Sequence, residues 1–294
     1  MQRSLRKPAP PLFTALLAAL LSAQSSAQPV RTQDAAPNSA SAAIGTASAA
    51  TGTATTDPAT EANSAHARRL LQQMVQALGG GLWLDMPNYE WWGTIAQFYH
   101  GTPNGMNTHF WFFHQSPDRD RWEFTKHRDD VQIITAHEGW EITYRGLTPL
   151  PQDQLDDYLR RRAHSIETVI HTWLPDSQTI LTYDGQQLAE RHLADQVTLI
   201  SASNDSVTLQ LDAETHLPLR RIFRWRNPTY KDYDEDAEEY DNYRIVDGIE
   251  TPYNITRYRN GEMLNERFLL GAEYDRSLPA DEFDPHATAR RIVR

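Results

Sequence analysis

Between residues 88 and 274 the chain repeats one pattern, a short run of β-branched and aromatic residues followed by a turn signal. The first runs are YEWWGTIAQFY, MNTHFWFFHQ, RWEFTK, VQIITA and WEITYRG. Gly101-Thr102-Pro103-Asn104, Ser116-Pro117-Asp118, Arg128-Asp129-Asp130 and His137-Glu138-Gly139 separate them. The later runs are TILTYDG, LAERHLADQVTLISA, SVTLQLDA, LPLRRIFRWR, EEYDNYRIVDG, ETPYNITRYRN and EMLNERFLLGAEYD. Asp247-Gly248 and Asn260-Gly261 are hairpin dipeptides, because a tight two-residue turn needs positive φ at both positions. Separators this short join neighbours in space, so the runs predict an antiparallel meander.

Two stretches carry a helical period instead. In ARRLLQQMVQALGGG, Leu70, Leu71, Met74, Val75 and Leu78 share one stripe, and Gly79 to Gly81 end it. In PQDQLDDYLRRRAHSIETVIHTWL, one face carries Leu155, Leu159, Arg162, Ile166, Val169 or Ile170, and Trp173, and Pro175 stops the helix. Asp153, Asp156 and Asp157 lie near its N-terminus, where the helix dipole favours them. The expected fold class is α+β: one large, curved antiparallel sheet of about 11–12 strands with an N-terminal helix and one inserted helix.

The N-terminus reads as an export signal. Arg3, Arg6 and Lys7 precede the apolar run Leu12 to Leu21, and Ser25-Ser26-Ala27 offers small residues for cleavage. That run is too short to cross a bilayer, and no later stretch is apolar enough. The expected domains are a signal peptide over 1–27, a disordered Ala/Ser/Thr-rich linker over 28–60, and a single folded domain over 61–290. Residues 28–60 lack the large apolar groups that would offset their ordering entropy. The expected location is the periplasm, with no integral membrane segment after cleavage. There is no cysteine, which excludes a cysteine nucleophile and a lipid anchor on cysteine. The net charge of −11 becomes more negative once the three leader cations leave, so phosphate backbones repel the chain and no nucleic-acid partner is expected.

Catalytic signatures are few. HEGWE lacks the second His of a zinc-protease motif, and there is no nucleophile elbow, phosphate loop or dinucleotide fingerprint. Glu190 and His192 are two apart, so on one strand they share a face, as an acid–base pair, a ligand pair or a surface ion pair beside Arg191. His109 and His114 have opposite parity and cannot share a metal. The acidic run KDYDEDAEEYDNY lacks the glycine and terminal Glu of an EF-hand, and reads as a solvated loop leading into a charged edge strand. Asn254-Ile255-Thr256 matches a glycosylation sequon. No metal or cofactor is expected.

Aromatic residues crowd the first five strands. In HFWFFH they alternate across both faces, and Trp91 and Trp92 point to opposite sides. Both faces must be covered by a helix or must bind something apolar. The strands YRIVDG and IETPYNITRYRN likewise place Arg, Asn and Thr among Ile and Tyr, which is not the lining of a solid core.

In order, these pieces resemble the outer-membrane lipoprotein carrier superfamily (LolA/LolB type). The resemblance rests on the helix ending in ALGG, on WFFHQSPDRDRWEFT followed by HEGWEITYRG, on LDAETHLPLRRIFRW, and on the C-terminal run from Tyr243 to Pro285. It covers most of residues 65 to 286 and implies a half-open barrel with both helices over the concave side. The implied function is that of a non-enzymatic periplasmic carrier whose concave face holds an acyl chain, a lipid or a lipoprotein lipid, exchanged with an envelope membrane-protein donor or acceptor. Trp91, Trp92, Phe110, Phe112, Trp122, Trp140, Leu159 and Ile166 are the expected ligand contacts, with the helix 153–174 as lid. The family places an Arg before the turn proline to close that lid. This chain has Ser116 there, and Arg121 and Arg145 are candidate replacements. Two other readings stay open: an envelope interaction module with the same fold, and a metal-assisted hydrolase using Glu190 and His192.

Overall fold

The computed structural model describes residues 57–105, 107–189 and 191–292. The expected signal peptide, most of the expected linker and Glu190 lie outside these residues. Helix α1 (Pro58–Leu78) starts seven residues before the compositional change at Ala65. Asp57 caps it through Oδ1, which accepts from the Ala59 N–H at 3.3 Å, and proline occupies its first turn. Gly79 and Gly80 end it with φ of 135° and 59°. A Cβ on Gly79 would lie 2.9 Å from the Gly248 carbonyl, so the glycine lets the helix end meet a sheet turn closely. A single helical turn, α2 (Gly81–Leu84), follows.

The strands are β1 (Asn88–Tyr99), β2 (Thr102–Pro103), β3 (Thr108–Gln115), β4 (Arg119–Phe124), β5 (Asp130–Ile134), β6 (Gly139–Thr143) and β7 (Gly146–Pro149). After the insertion come β8 (Ile180–Ala189), β9 (His192–Ile200), β10 (Ser206–Asp212), β11 (Pro218–Arg226), β12 (Tyr233–Val246), β13 (Ile249–Arg259) and β14 (Glu262–Tyr274). Thirteen of them pair in the order β7-β6-β5-β4-β3-β1-β14-β13-β12-β11-β10-β9-β8, and β2 pairs with β1. All the pairings are antiparallel, and the end strands β7 and β8 do not bond to each other, so the sheet is not closed into a barrel. Asp247-Gly248 and Asn260-Gly261 form the two expected hairpin turns, all four residues at φ between 51° and 85°.

Several local readings change. LAERHLADQVTLISA is two strands: β8 ends at Ala189 and β9 begins at His192. Gly185 is a bulge inside β8, not the end of a strand. The acidic run is no edge, since β12 pairs with β11 on one side and β13 on the other. The inserted helix is broken. Helix α3 (Gln152–Ala163) stops at His164, and Ser165 caps a new turn, α4 (Ile166–Thr168), by accepting from the Thr168 N–H at 3.1 Å. That turn continues as a π-helical turn over Val169–Trp173. Together these segments form a strap across the inner face of the sheet.

The main core lies on that inner face. Leu70, Leu71, Met74, Val75 and Leu78 of α1 are buried against Val197, Leu199, Val207, Leu209 and Ile255. Each such side chain contributes about 1.5–3 kcal/mol. A second core lies on the outer face, where Phe113, Val131, Ile133 and Ile142 meet Phe283 and the C-terminal helix α5 (Pro285–Ile292).

Candidate functional site

A half-open cavity of about 290 Å³ lies between the strap and the inner face. This is at the lower end of the range for small-molecule sites, about 300–1,000 Å³. One wall is aromatic. Trp91 of β1, Phe112 of β3 and Trp122 of β4 are neighbours across three paired strands, with the Phe112 and Trp122 rings 4.2 Å apart. Tyr89 continues this wall at 4.8 Å from Trp91. The roof includes Ile166, Glu167 and His171 of the strap. The opposite end is charged and carries Arg161 of the strap with Arg221, Glu238, Tyr240 and Arg267 of β11, β12 and β14.

The strap is anchored on both arms of the sheet. Asp157 of α3, 5% exposed, accepts from Arg257 of β13 at 3.2 Å and forms a short contact with Arg259. On the other arm, Arg162 donates to Asp120 of β4 at 3.1 Å and to the carbonyls of Asp118 and Thr135 at 2.8 and 2.7 Å. Trp122 Nε1–H donates to the Tyr158 hydroxyl at 3.0 Å. The strap therefore bridges strands that lie four places apart in the sheet, β4 and β13 being separated by β3, β1 and β14.

Burial raises the tyrosines of this region. Tyr240 goes up through burial and then the Glu238 charge, Tyr89 through burial and then Glu167, and Tyr274 reaches about 12 chiefly through burial. All three are neutral hydroxyls at pH 7. Burial would also raise Glu238, but Arg267 and Arg221 outweigh it and hold the carboxyl at about 2. For His114, burial favours the neutral ring, yet its 2.7 Å bond to Asp120 prevails and the imidazole is raised.

Of the ligand contacts expected from sequence, Trp91, Phe112, Trp122 and Ile166 line the cavity. Phe110 sits on the same face but is packed into the core, 5.8 Å from the Trp122 ring. Leu159 packs in a side cluster with Ile134, Leu150 and Leu155. Trp92 and Trp140 point the other way. Trp92 follows Trp91, so strand alternation sends it outward onto Gly271, and Trp140 packs in the outer core beside His286 of α5. Arg121 is also on the outer face, where it holds α5 through the Thr288 hydroxyl and the Glu282 carbonyl, both at 2.7 Å. Arg145 is exposed between β6 and β7 and lies over the Tyr144 ring. Arg162, which belongs to the strap itself, makes the polar contact with Asp120 and the Thr135 carbonyl on the sheet side. His192 Nδ1 pairs with Asp212 at 2.9 Å, and among the described residues no group of three or more His, Asp or Glu is placed to hold a metal.

No protein-family model matches the sequence, and no curated protein matches it. The fold does match solved structures. A DUF1329 family protein from Desulfovibrio piger aligns with a TM-score of 0.55 at 11% identity, over 77% of this chain and 99% of that one. A putative outer membrane lipoprotein-sorting protein domain from Vibrio parahaemolyticus aligns with a TM-score of 0.53 at 9% identity, over 78% of this chain and all of that one, 100%. The chain thus shares the fold of these two structures.

Proposed function

We propose that the protein is a periplasmic carrier that holds an acyl chain, or the lipid of a lipoprotein, in the cavity beneath the strap. The observation that carries this reading is the continuous wall of Trp91, Phe112 and Trp122 facing an unfilled space within the fold. Each methylene buried there contributes about 0.8 kcal/mol. The leader over 1–27 would deliver the chain across the cytoplasmic membrane, and residues 28–56 would act as a tether. Exchange would require the strap to lift, with Asp157 and Arg162 as its two fastenings. An envelope membrane protein would supply or receive the cargo.

The test is mass spectrometry of organic extracts from residues 28–294, exported and purified without detergent. A lipid or lipopeptide at one per chain is the expected result. An empty protein that also fails to take up a fluorescent fatty acid would remove the carrier reading in favour of an interaction module.

A further inference from the structure

An ion-pair network rich in arginine runs into the charged end of the cavity. Arg160, Arg161, Arg257 and Arg259 share Asp157, Arg221 and Arg257 share Asp236, and Arg221 and Arg267 share Glu238. Six arginines therefore meet three carboxylates. Asp120 is already engaged by Arg162 and His114. Glu167 and Glu250 also line the cavity, so its own lining sets Arg161, Arg162, Arg221 and Arg267 against Asp120, Glu167, Glu238 and Glu250, and the surplus of arginine lies in the network behind the wall.

Part of this network is buried and incompletely bonded. Arg221 is 1% exposed, and the buried Nε atoms of Arg221, Arg259 and Arg267 have no hydrogen-bond partner among the described residues. Arg161 donates to Asp157 through Nε at 3.3 Å, and its guanidinium lies over the Tyr158 ring. Burial and the nearby Arg257 depress the Arg161 guanidinium, whereas the carboxylates raise Arg221 and Arg257 despite their burial. A buried guanidinium N–H without an acceptor is costly, and an anion from outside could supply one. A guanidinium is also the group best shaped for a carboxylate or phosphate.

We propose that this end of the cavity is an anion subsite: the ligand is an amphiphile whose carboxylate or phosphate rests against Arg161, Arg221 and Arg267 while its chain lies along Trp91, Phe112 and Trp122. The proposal rests on the carrier reading and narrows its cargo to anionic amphiphiles. It also explains why a cavity built to hold an acyl chain is apolar along only part of its wall.

Dodecanoate, dodecyl phosphate and dodecanol have the same chain and differ in the head. Their affinities are measured by calorimetric titration of the wild-type protein. At least one anion should bind about tenfold or more tightly than the alcohol, since charge-assisted hydrogen bonds are the stronger class. Which anion leads identifies the carboxylate or the phosphate as the natural head. Arg161→Gln and Arg267→Gln should erase most of that preference while leaving dodecanol affinity within about twofold, the alcohol serving as the control for folding. Equal binding of all three by the wild-type protein overturns the anion subsite and leaves the carrier reading standing. Binding of none of them overturns both.

Discussion

Replacing Asp157 by Asn should loosen the strap without altering its shape. The amide is isosteric and still accepts one hydrogen bond, but the charge shared by Arg257, Arg259, Arg160 and Arg161 is gone. The carboxylate is 7% exposed and Arg257 3%, so water does not screen the pair. Breaking a buried pair by removing one partner costs about 3–5 kcal/mol. Arg257 keeps Asp236 at 2.8 Å, which places the expected loss at the lower end, about 3 kcal/mol. Urea unfolding gives that figure, and amide exchange should show residues 152–173 opening first. Asp156→Asn is the control. That carboxylate is on the exposed side, where it accepts from Gln152, so its removal should cost less than about 0.5 kcal/mol. A loss below about 1 kcal/mol for Asp157→Asn, with unchanged exchange in the strap, would refute the clamp.

Other outcomes follow from the same geometry. Gly93→Ala should cost about 3 kcal/mol or prevent folding, because its Cβ would lie 2.0 Å from the Phe268 carbonyl oxygen and 2.9 Å from the Leu269 Cα, backbone atoms that cannot yield. Near-normal stability by thermal melting would contradict the close β1–β14 approach. Trp140→Ala should lower stability by about 2 kcal/mol, by undocking α5, and leave ligand affinity unchanged, since it lies on the outer face. Acid should destabilise the protein through Glu238. Its carboxyl is held at about 2 when folded against 4.5 unfolded, so its contribution is complete above pH 4.5 and is lost as pH falls towards 2. Glu238→Gln should flatten the stability profile over that interval, and an unchanged profile would show that Arg221 and Arg267 do not hold the charge.

The strands were legible where turn chemistry is strict. Asp247-Gly248 and Asn260-Gly261 could only be tight hairpins, and the sheet order around β12, β13 and β14 follows from them. Facing was not legible. Trp91 and Trp92, or Phe112 and Phe113, are equally apolar neighbours, and both faces of this sheet are covered. Sequence alone therefore could not send Trp92 and Trp140 outward. The covering element on the outer face, α5, did leave a signal: Asp284 accepts from the His286 and Ala287 amides at 2.8 and 3.1 Å, with Pro285 in the first turn. An Asp-Pro pair in that position is a readable helix start. The arginine network left none, because its partners are distant in sequence. Asp157 and Arg257 are 100 residues apart, and alone each reads as an ordinary surface charge. The acidic run of β12 misled for the same reason, since Asp236 is fully buried only because Arg221 and Arg257 reach it.

The most direct test of the central claim, that an acyl chain lies beneath the strap, uses a chain brominated near its methyl end, which quenches only nearby indoles. Trp91 and Trp122 line the cavity, whereas Trp111 and Trp140 belong to the outer core. Brominated dodecanoate should quench the wild-type protein saturably. The effect should fall when Trp91 and Trp122 are replaced by Phe and persist when Trp111 and Trp140 are. Absence of saturable quenching, or quenching that disappears with the outer pair, would contradict the account.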